Sequence, residues 1–131
     1  MSLEKDQQTT RARRILVVDD EPLLVRMLQR VLETSGYDVF GAADGQAALT
    51  VLAETPVDLV LSDVRMPGMD GPSLLAELRR LPAPPPLVFL TGYGHYTDAQ
   101  LREMGAAEVY GKPLTSETLL TLVRTHVSTA D

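Results

Sequence analysis

The segment Arg14-Ile15-Leu16-Val17-Val18-Asp19-Asp20-Glu21-Pro22 decides the fold. Ile15–Val18 is a short unbroken apolar run rich in β-branched residues, the pattern of a strand buried on both faces. Two aspartates follow immediately. Pro22 then stands where a first helical turn tolerates proline. Leu24, Met27, Leu28, Val31 and Leu32 recur at helical spacing and predict a buried stripe, and Gly36 stops the helix. The segment is therefore one strand–helix unit with its polar residues gathered at the junction.

The same rhythm continues outward. Asp38–Ala42 predicts a second strand, and Asp44 caps a helix carrying Ala47, Ala48, Val51 and Leu52. Val57–Ser62 predicts strand three, with Pro67, Gly68 and Gly71 in the loop behind it. Leu74, Leu75, Leu78 and Leu81 form the next helical stripe, and the proline-rich Leu81–Pro86 predicts a stiff extended connector. Leu87–Leu90 is strand four, and Thr97–Met104 a weaker helix ended by Gly105. Glu108–Tyr110 is strand five, and the last helix runs from Ser116 to about Val127, burying Leu119, Leu120, Val123 and Val127. Residues 1–13 and 128–131 carry no periodicity and are expected as tails, leaving one domain over 14–127. Arg11, Arg13 and Arg14 fit a solvated lead-in to the first strand.

Strand–helix alternation with apolar strands predicts a doubly wound (βα)5 fold, a five-stranded parallel sheet with helices on both faces. The 131 residues suit a single domain. Ordinary apolar content excludes a wholly disordered chain, and no apolar run approaches the roughly 20 residues of a membrane helix. The absence of cysteine excludes disulfides, thiolate metal sites and thiol catalysis, and fits a reducing cytoplasm. A net charge of −6 argues against binding a nucleic-acid backbone as the main activity. No signal peptide is expected, because Met1–Gln8 is polar.

In a parallel sheet, ligands bind beyond the carboxyl ends of the strands. Asp19 and Asp20 follow strand one, Asp63 strand three, Thr91 strand four and Lys112-Pro113 strand five. Any one of these has an ordinary structural explanation; their conjunction at one sheet edge does not. Two carboxylates about 4 Å apart repel by about 4 kcal/mol at an effective dielectric of 20. A cation must relieve that repulsion. Lys112 supplies one charge, and Mg²⁺, which takes carboxylate, water and phosphoryl oxygens, fits the remainder.

With these residues in place, the chain resembles the receiver domain of two-component response regulators, the CheY-like superfamily. Four pieces carry the likeness. They are Val17-Val18-Asp19-Asp20-Glu21-Pro22, Leu61-Ser62-Asp63-Val64-Arg65-Met66-Pro67-Gly68-Met69-Asp70-Gly71, Leu90-Thr91-Gly92 and Gly111-Lys112-Pro113-Leu114. The resemblance implies a flavodoxin-like three-layer fold working in the cytoplasm. It also implies that Asp63 accepts a phosphoryl group from a phosphohistidine on a sensor histidine kinase or phosphotransfer protein. On the same carry-over, Asp19, Asp20, Asp63 and the Arg65 backbone carbonyl hold Mg²⁺. Thr91 and Lys112 contact the phosphoryl group, and Pro113 follows a cis bond. Arg65 and Tyr93 flank the path of hydrolytic water and tune dephosphorylation. Such a module catalyses only its own phosphorylation and dephosphorylation, and its output is an output domain or downstream protein not in this chain.

Two departures stand out. Val109 occupies the position where many receivers carry an aromatic switch residue, and Tyr110 should face the other side of the strand. The stretch from Thr91 to Lys112 is slightly shorter than usual, so helix four is expected short or shifted. Two rival classes fit less well. A haloacid-dehalogenase-like phosphatase needs a second acid two residues after its nucleophile, where this chain has Arg65 after Asp63. A flavodoxin-like binding module wants a phosphate-cradling loop where Asp19-Asp20-Glu21-Pro22 stands. His95 reads as a loop residue and His126 as helix-five surface.

Overall fold

A computed structural model describes residues 12–92 and 96–127. The tails, apart from Ala12 and Arg13, lie outside the described residues, as do Tyr93 and His95. The strands are β1 (Arg14–Val18), β2 (Asp38–Ala42), β3 (Leu59–Asp63), β4 (Leu87–Thr91) and β5 (Glu108–Gly111). Between and after them come α1 (Pro22–Thr34), α2 (Gly45–Glu54), α3 (Gly71–Leu78), α4 (Asp98–Glu103) and α5 (Ser116–His126). All neighbouring strands pair in parallel, in the order β2-β1-β3-β4-β5. Among the described residues no helix is long and apolar enough to cross a membrane.

The three inner strands β1, β3 and β4 are mostly apolar and buried because helices cover both faces of the sheet. Leu16, Val18, Val60, Phe89 and Val109 point to one side, where Ala48 of α2, Leu74 of α3 and Leu101 of α4 meet them. Ile15, Val17, Leu59, Leu61 and Val88 point to the other, against Leu28 and Leu32 of α1 and Leu119 of α5. Fully burying a leucine side chain is worth roughly 1.5–3 kcal/mol, so both layers stabilise the sheet. Asp44, Asp70, Thr97 and Thr115 cap their helices through side-chain oxygens. Gly36 and Gly105 leave α1 and α4 with φ of +98° and +114°, conformations that favour glycine.

Several local expectations need correction. Met27 and Leu81 share the helical spacing of their stripes, yet Met27 is 65% exposed and Leu81 lies on the surface past the end of α3. Helical spacing marks which residues share an arc but not where burial stops, and Met27 sits one step beyond the packed edge. Strand three starts two residues later than expected and ends on Asp63, because pairing follows Val60 with Leu87. In α5, Leu122 is buried where Leu120 was expected; Leu120 is only partly covered. His126 is not surface: its side chain is 16% exposed, with Nε2 3.7 Å from Glu108 Oε1. Helix α4, by contrast, is short as expected, with only six residues.

Candidate functional site

The carboxyl edge of the sheet gathers the polar residues. Asp19 follows β1 directly and is only 3% exposed. Its backbone N–H donates to the Ala42 carbonyl (3.0 Å), and its Oδ1 accepts from the Glu21 N–H (2.9 Å). Both bonds fix the carboxylate as the chain turns into α1, whose first turn carries Pro22. Asp20, beside it, is exposed. Asp63 closes β3, with Oδ1 accepting from the Val64 N–H at 2.8 Å.

The loop after Asp63 folds tightly back. The Gly71 N–H donates to the Val64 carbonyl at 2.8 Å. A Cβ on Gly71 would lie 2.5 Å from the Asp63 carbonyl oxygen and 2.6 Å from the Phe89 ring. Only glycine fits against the back of the Asp63 peptide, so Gly71 sets where that carboxylate stands. The sequence places Gly71 in the loop behind strand three and at the end of the Leu61–Gly71 piece, without showing that Asp63 and Phe89 crowd it.

Lys112 enters from the end of β5. Its Nζ lies 2.7 Å from Asp19 Oδ2 and 3.3 Å from Asp63 Oδ2, and its side chain is 19% exposed. Burial alone would lower this ammonium, but the Asp19 hydrogen bond and the charges on Asp63 and Asp19 outweigh it and hold the lysine above its usual value. The Lys112 N–H donates to the Thr91 carbonyl at 2.8 Å, which locks the β5 end to the β4 end. The Lys112–Pro113 peptide bond is cis.

Asp19, Asp20 and Asp63 each offer a carboxylate oxygen within 4.8 Å of the others. One ammonium stands against these three carboxylates. That all-oxygen, net negative donor set suits a hard divalent cation such as Mg²⁺ and is wrong for a soft metal.

Arg65, two residues after Asp63, is exposed. Tyr93 lies outside the described residues. Val109 is buried in the layer with Phe89 and Leu101, while Tyr110 faces the opposite layer and donates to Glu108 Oε1 at 3.0 Å. The structure thus joins Asp19, Asp20, Asp63 and Lys112 in one cluster, with Thr91 at the adjoining strand end, and leaves Val109 inside the core.

From Asp63 and Lys112 a groove of about 680 Å³ runs between α1 and the start of α5. Leu24, Met27 and Val31 form one bank and Leu114 and Leu119 the other. Helical periodicity assigns Leu24, Met27, Val31 and Leu119 to apolar stripes, and does not show that they border a groove.

Comparison with known proteins agrees with this architecture. The sequence model of the response regulator receiver domain matches residues 15–124. The transcriptional regulatory protein GlrR of Escherichia coli (strain K12) is 38% identical over 106 residues, 80% of this chain and 24% of that protein. Sensor kinase CckA of Brucella abortus is 37% identical over 127 residues, 93% of this chain and 13% of that protein. The chain therefore spans about a quarter or less of these two relatives. Among solved structures, response regulator TrrA of Thermotoga maritima, in complex with Mg²⁺-BeF, superposes with a TM-score of 0.79 at 32% identity. That match covers 88% of this chain and 99% of the other. The acid cluster at the sheet edge, the parallel topology and these likenesses converge: the chain belongs to the response regulator receiver domain family.

Proposed function

We propose that Asp63 is the phosphoacceptor of this receiver and that Asp19, Asp20, Asp63 and the Arg65 backbone carbonyl hold Mg²⁺. One observation carries the reading: Lys112 Nζ sits between Asp19 and Asp63, at 2.7 and 3.3 Å, and both Lys112 and Asp63 line the groove. An oxygen of Asp63 attacks the phosphorus of a phosphohistidine; the P–O bond forms as the P–N bond breaks, and the imidazole leaves. Mg²⁺ held by these residues would supply neutralisation of the carboxylate and phosphoryl charge. Lys112 supplies a second, fixed positive charge, and Asp19 holds that ammonium in place. Thr91 and Lys112 contact the phosphoryl group once it is on Asp63. The product adds roughly −1.5 to −2 charge at this edge, which draws the Thr91 hydroxyl and the following loop inward.

The donor on this reading is a sensor histidine kinase or phosphotransfer protein, met in the cytoplasm. The output is controlled by an output domain or downstream protein, so the module signals rather than turns over a substrate. With Val109 buried at the usual aromatic position, the switch runs through Thr91 and its loop instead of a ring. Incubation with a small acyl-phosphate donor and Mg²⁺ tests the assignment. An acid-stable, base-labile adduct is expected on the parent and absent from Asp63→Asn; a full-strength adduct on that variant refutes it.

A further inference from the structure

The loop from Asp63 to α3 carries Arg65, yet little of its backbone is tied down. Val64 is fixed at one end: its N–H donates to Asp63 Oδ1 and its carbonyl accepts from the Gly71 N–H, both at 2.8 Å. Asp70 is fixed at the other, with Oδ1 accepting from the Ser73 N–H at 2.9 Å as the cap of α3. Between them, residues 65–69 make no backbone hydrogen bond to another described residue. Gly68 turns the chain with φ of +75° and brings no side chain to anchor it. Two methionines hold this stretch instead. Met66 is buried in the core layer, and Met69 is partly buried against the same layer.

Met69 rests on the first residue of α2. A Cβ on Gly45 would stand 2.8 Å from Met69 Cγ and 2.9 Å from its Cβ and Sδ. The root of the Met69 side chain, not a mobile tip, therefore fills the space of the missing Cβ. Gly45 is itself buried, and its neighbour Asp44 caps α2 by accepting from the Ala47 N–H at 2.8 Å. Just upstream, the Ala42 carbonyl accepts from the Asp19 N–H at 3.0 Å. One short path thus runs from the buried acid Asp19, through the end of β2, to Gly45 and across to the loop that carries Arg65.

Resting on the reading that Arg65 lends its carbonyl to Mg²⁺, we propose that Gly45 and Met69 are a positioning pair: their contact holds the Arg65 loop rigid and so makes the site select Mg²⁺ over the larger Ca²⁺. Mg²⁺ demands near-ideal octahedral geometry at about 2.0–2.1 Å, whereas Ca²⁺ accepts oxygens at about 2.3–2.6 Å in flexible arrangements. A ligand on a rigid loop favours the smaller ion. A ligand on a slack loop serves the larger ion equally well. Neither Gly45 nor Met69 belongs to the acid cluster, so substituting them leaves its charge unchanged.

The test titrates Mg²⁺ alone and Ca²⁺ alone into the parent, Gly45→Ala, Met69→Ala and the double variant, following the amide shifts of Asp19, Asp63 and Val64. Gly45→Ala overfills the contact and Met69→Ala empties it, so the two single variants disturb the loop in opposite senses. Each binds Mg²⁺ on the order of tenfold more weakly than the parent. Ca²⁺ binding stays within about twofold, because that ion tolerates a displaced ligand. The double variant regains most of the Mg²⁺ affinity, since the methyl added on the helix occupies part of the space vacated on the loop. A general loosening of the fold would weaken both ions alike. Equal losses for the two ions, an unchanged Mg²⁺ Kd in both single variants, or a double variant no tighter than the weaker single overturns the proposal. Failure of the parent to bind Mg²⁺ would instead remove the metal reading on which it rests.

Discussion

Replacing Lys112 with methionine keeps the apolar stem and removes the one ammonium that lies among three carboxylates. The local charge falls from −2 to −3. At the 3.3 Å separation from Asp63, one pair of unit charges is worth about 1 kcal/mol in water and about 5 kcal/mol at a dielectric of 20. Asp19 is buried but Asp20 is open to solvent, so a value near the middle, about 2–3 kcal/mol, is expected without divalent ions. With a urea slope of about 1–1.5 kcal/mol per molar for a small domain, the midpoint should fall by about 2 M. Asp63→Asn moves the other way, because it removes one like charge, and should raise the metal-free midpoint. Adding Mg²⁺ should restore most of the Lys112→Met loss, as a ligand at a hundred times its Kd adds about 2.7 kcal/mol. Equilibrium unfolding of the parent, both single variants and the double variant, with Mg²⁺ or with a chelator, reads all of this as a double-mutant cycle. A Lys112→Met protein as stable as the parent in chelator, or an Asp63→Asn protein less stable than the parent, would refute the electrostatic argument.

Three further outcomes are expected. Gly71→Ala forces a methyl against the Asp63 carbonyl and Phe89, costing about 1–3 kcal/mol in urea unfolding and slowing phosphorylation by a small donor; unchanged stability and rate would show the loop to be slack. Lys112 is held above its usual value of 10.5, so its contribution is complete below that pH and is lost as the pH rises through the higher native value; the stability difference between parent and Lys112→Met should therefore shrink only above about pH 10.5. Arg65→Ala and Tyr93→Ala should each shorten the lifetime of the phosphorylated protein, measured as adduct decay; decay no faster than the parent's in both variants would show that neither residue screens the phosphorus.

The sheet was legible chiefly from two unbroken apolar runs whose next residue is polar: Val18 to Asp19 and Leu90 to Thr91 mark the carboxyl edge by composition alone. The acid cluster followed, since residues at the ends of adjacent parallel strands must be neighbours. Surface shape did not follow. Met27 has the spacing of a core residue and stands in solvent, because periodicity gives direction around a helix and not the height of the neighbouring layer. The cramped space behind Asp63 is equally invisible, since it arises from Phe89, a residue on another strand. His126 looked solvated from its helix alone, and only the β5 register brings Glu108 beside it.

The central claim is that Asp63, and no other carboxylate, takes the phosphoryl group when Mg²⁺ is present. Borohydride reduction of the phosphorylated protein converts an acyl phosphate to an alcohol, so peptide mass mapping then reads the modified position directly. The account predicts homoserine in place of Asp63 alone, formed with Mg²⁺ and lost with a chelator. Homoserine at Asp19 or Asp20, or the same yield at Asp63 with and without the ion, would contradict it.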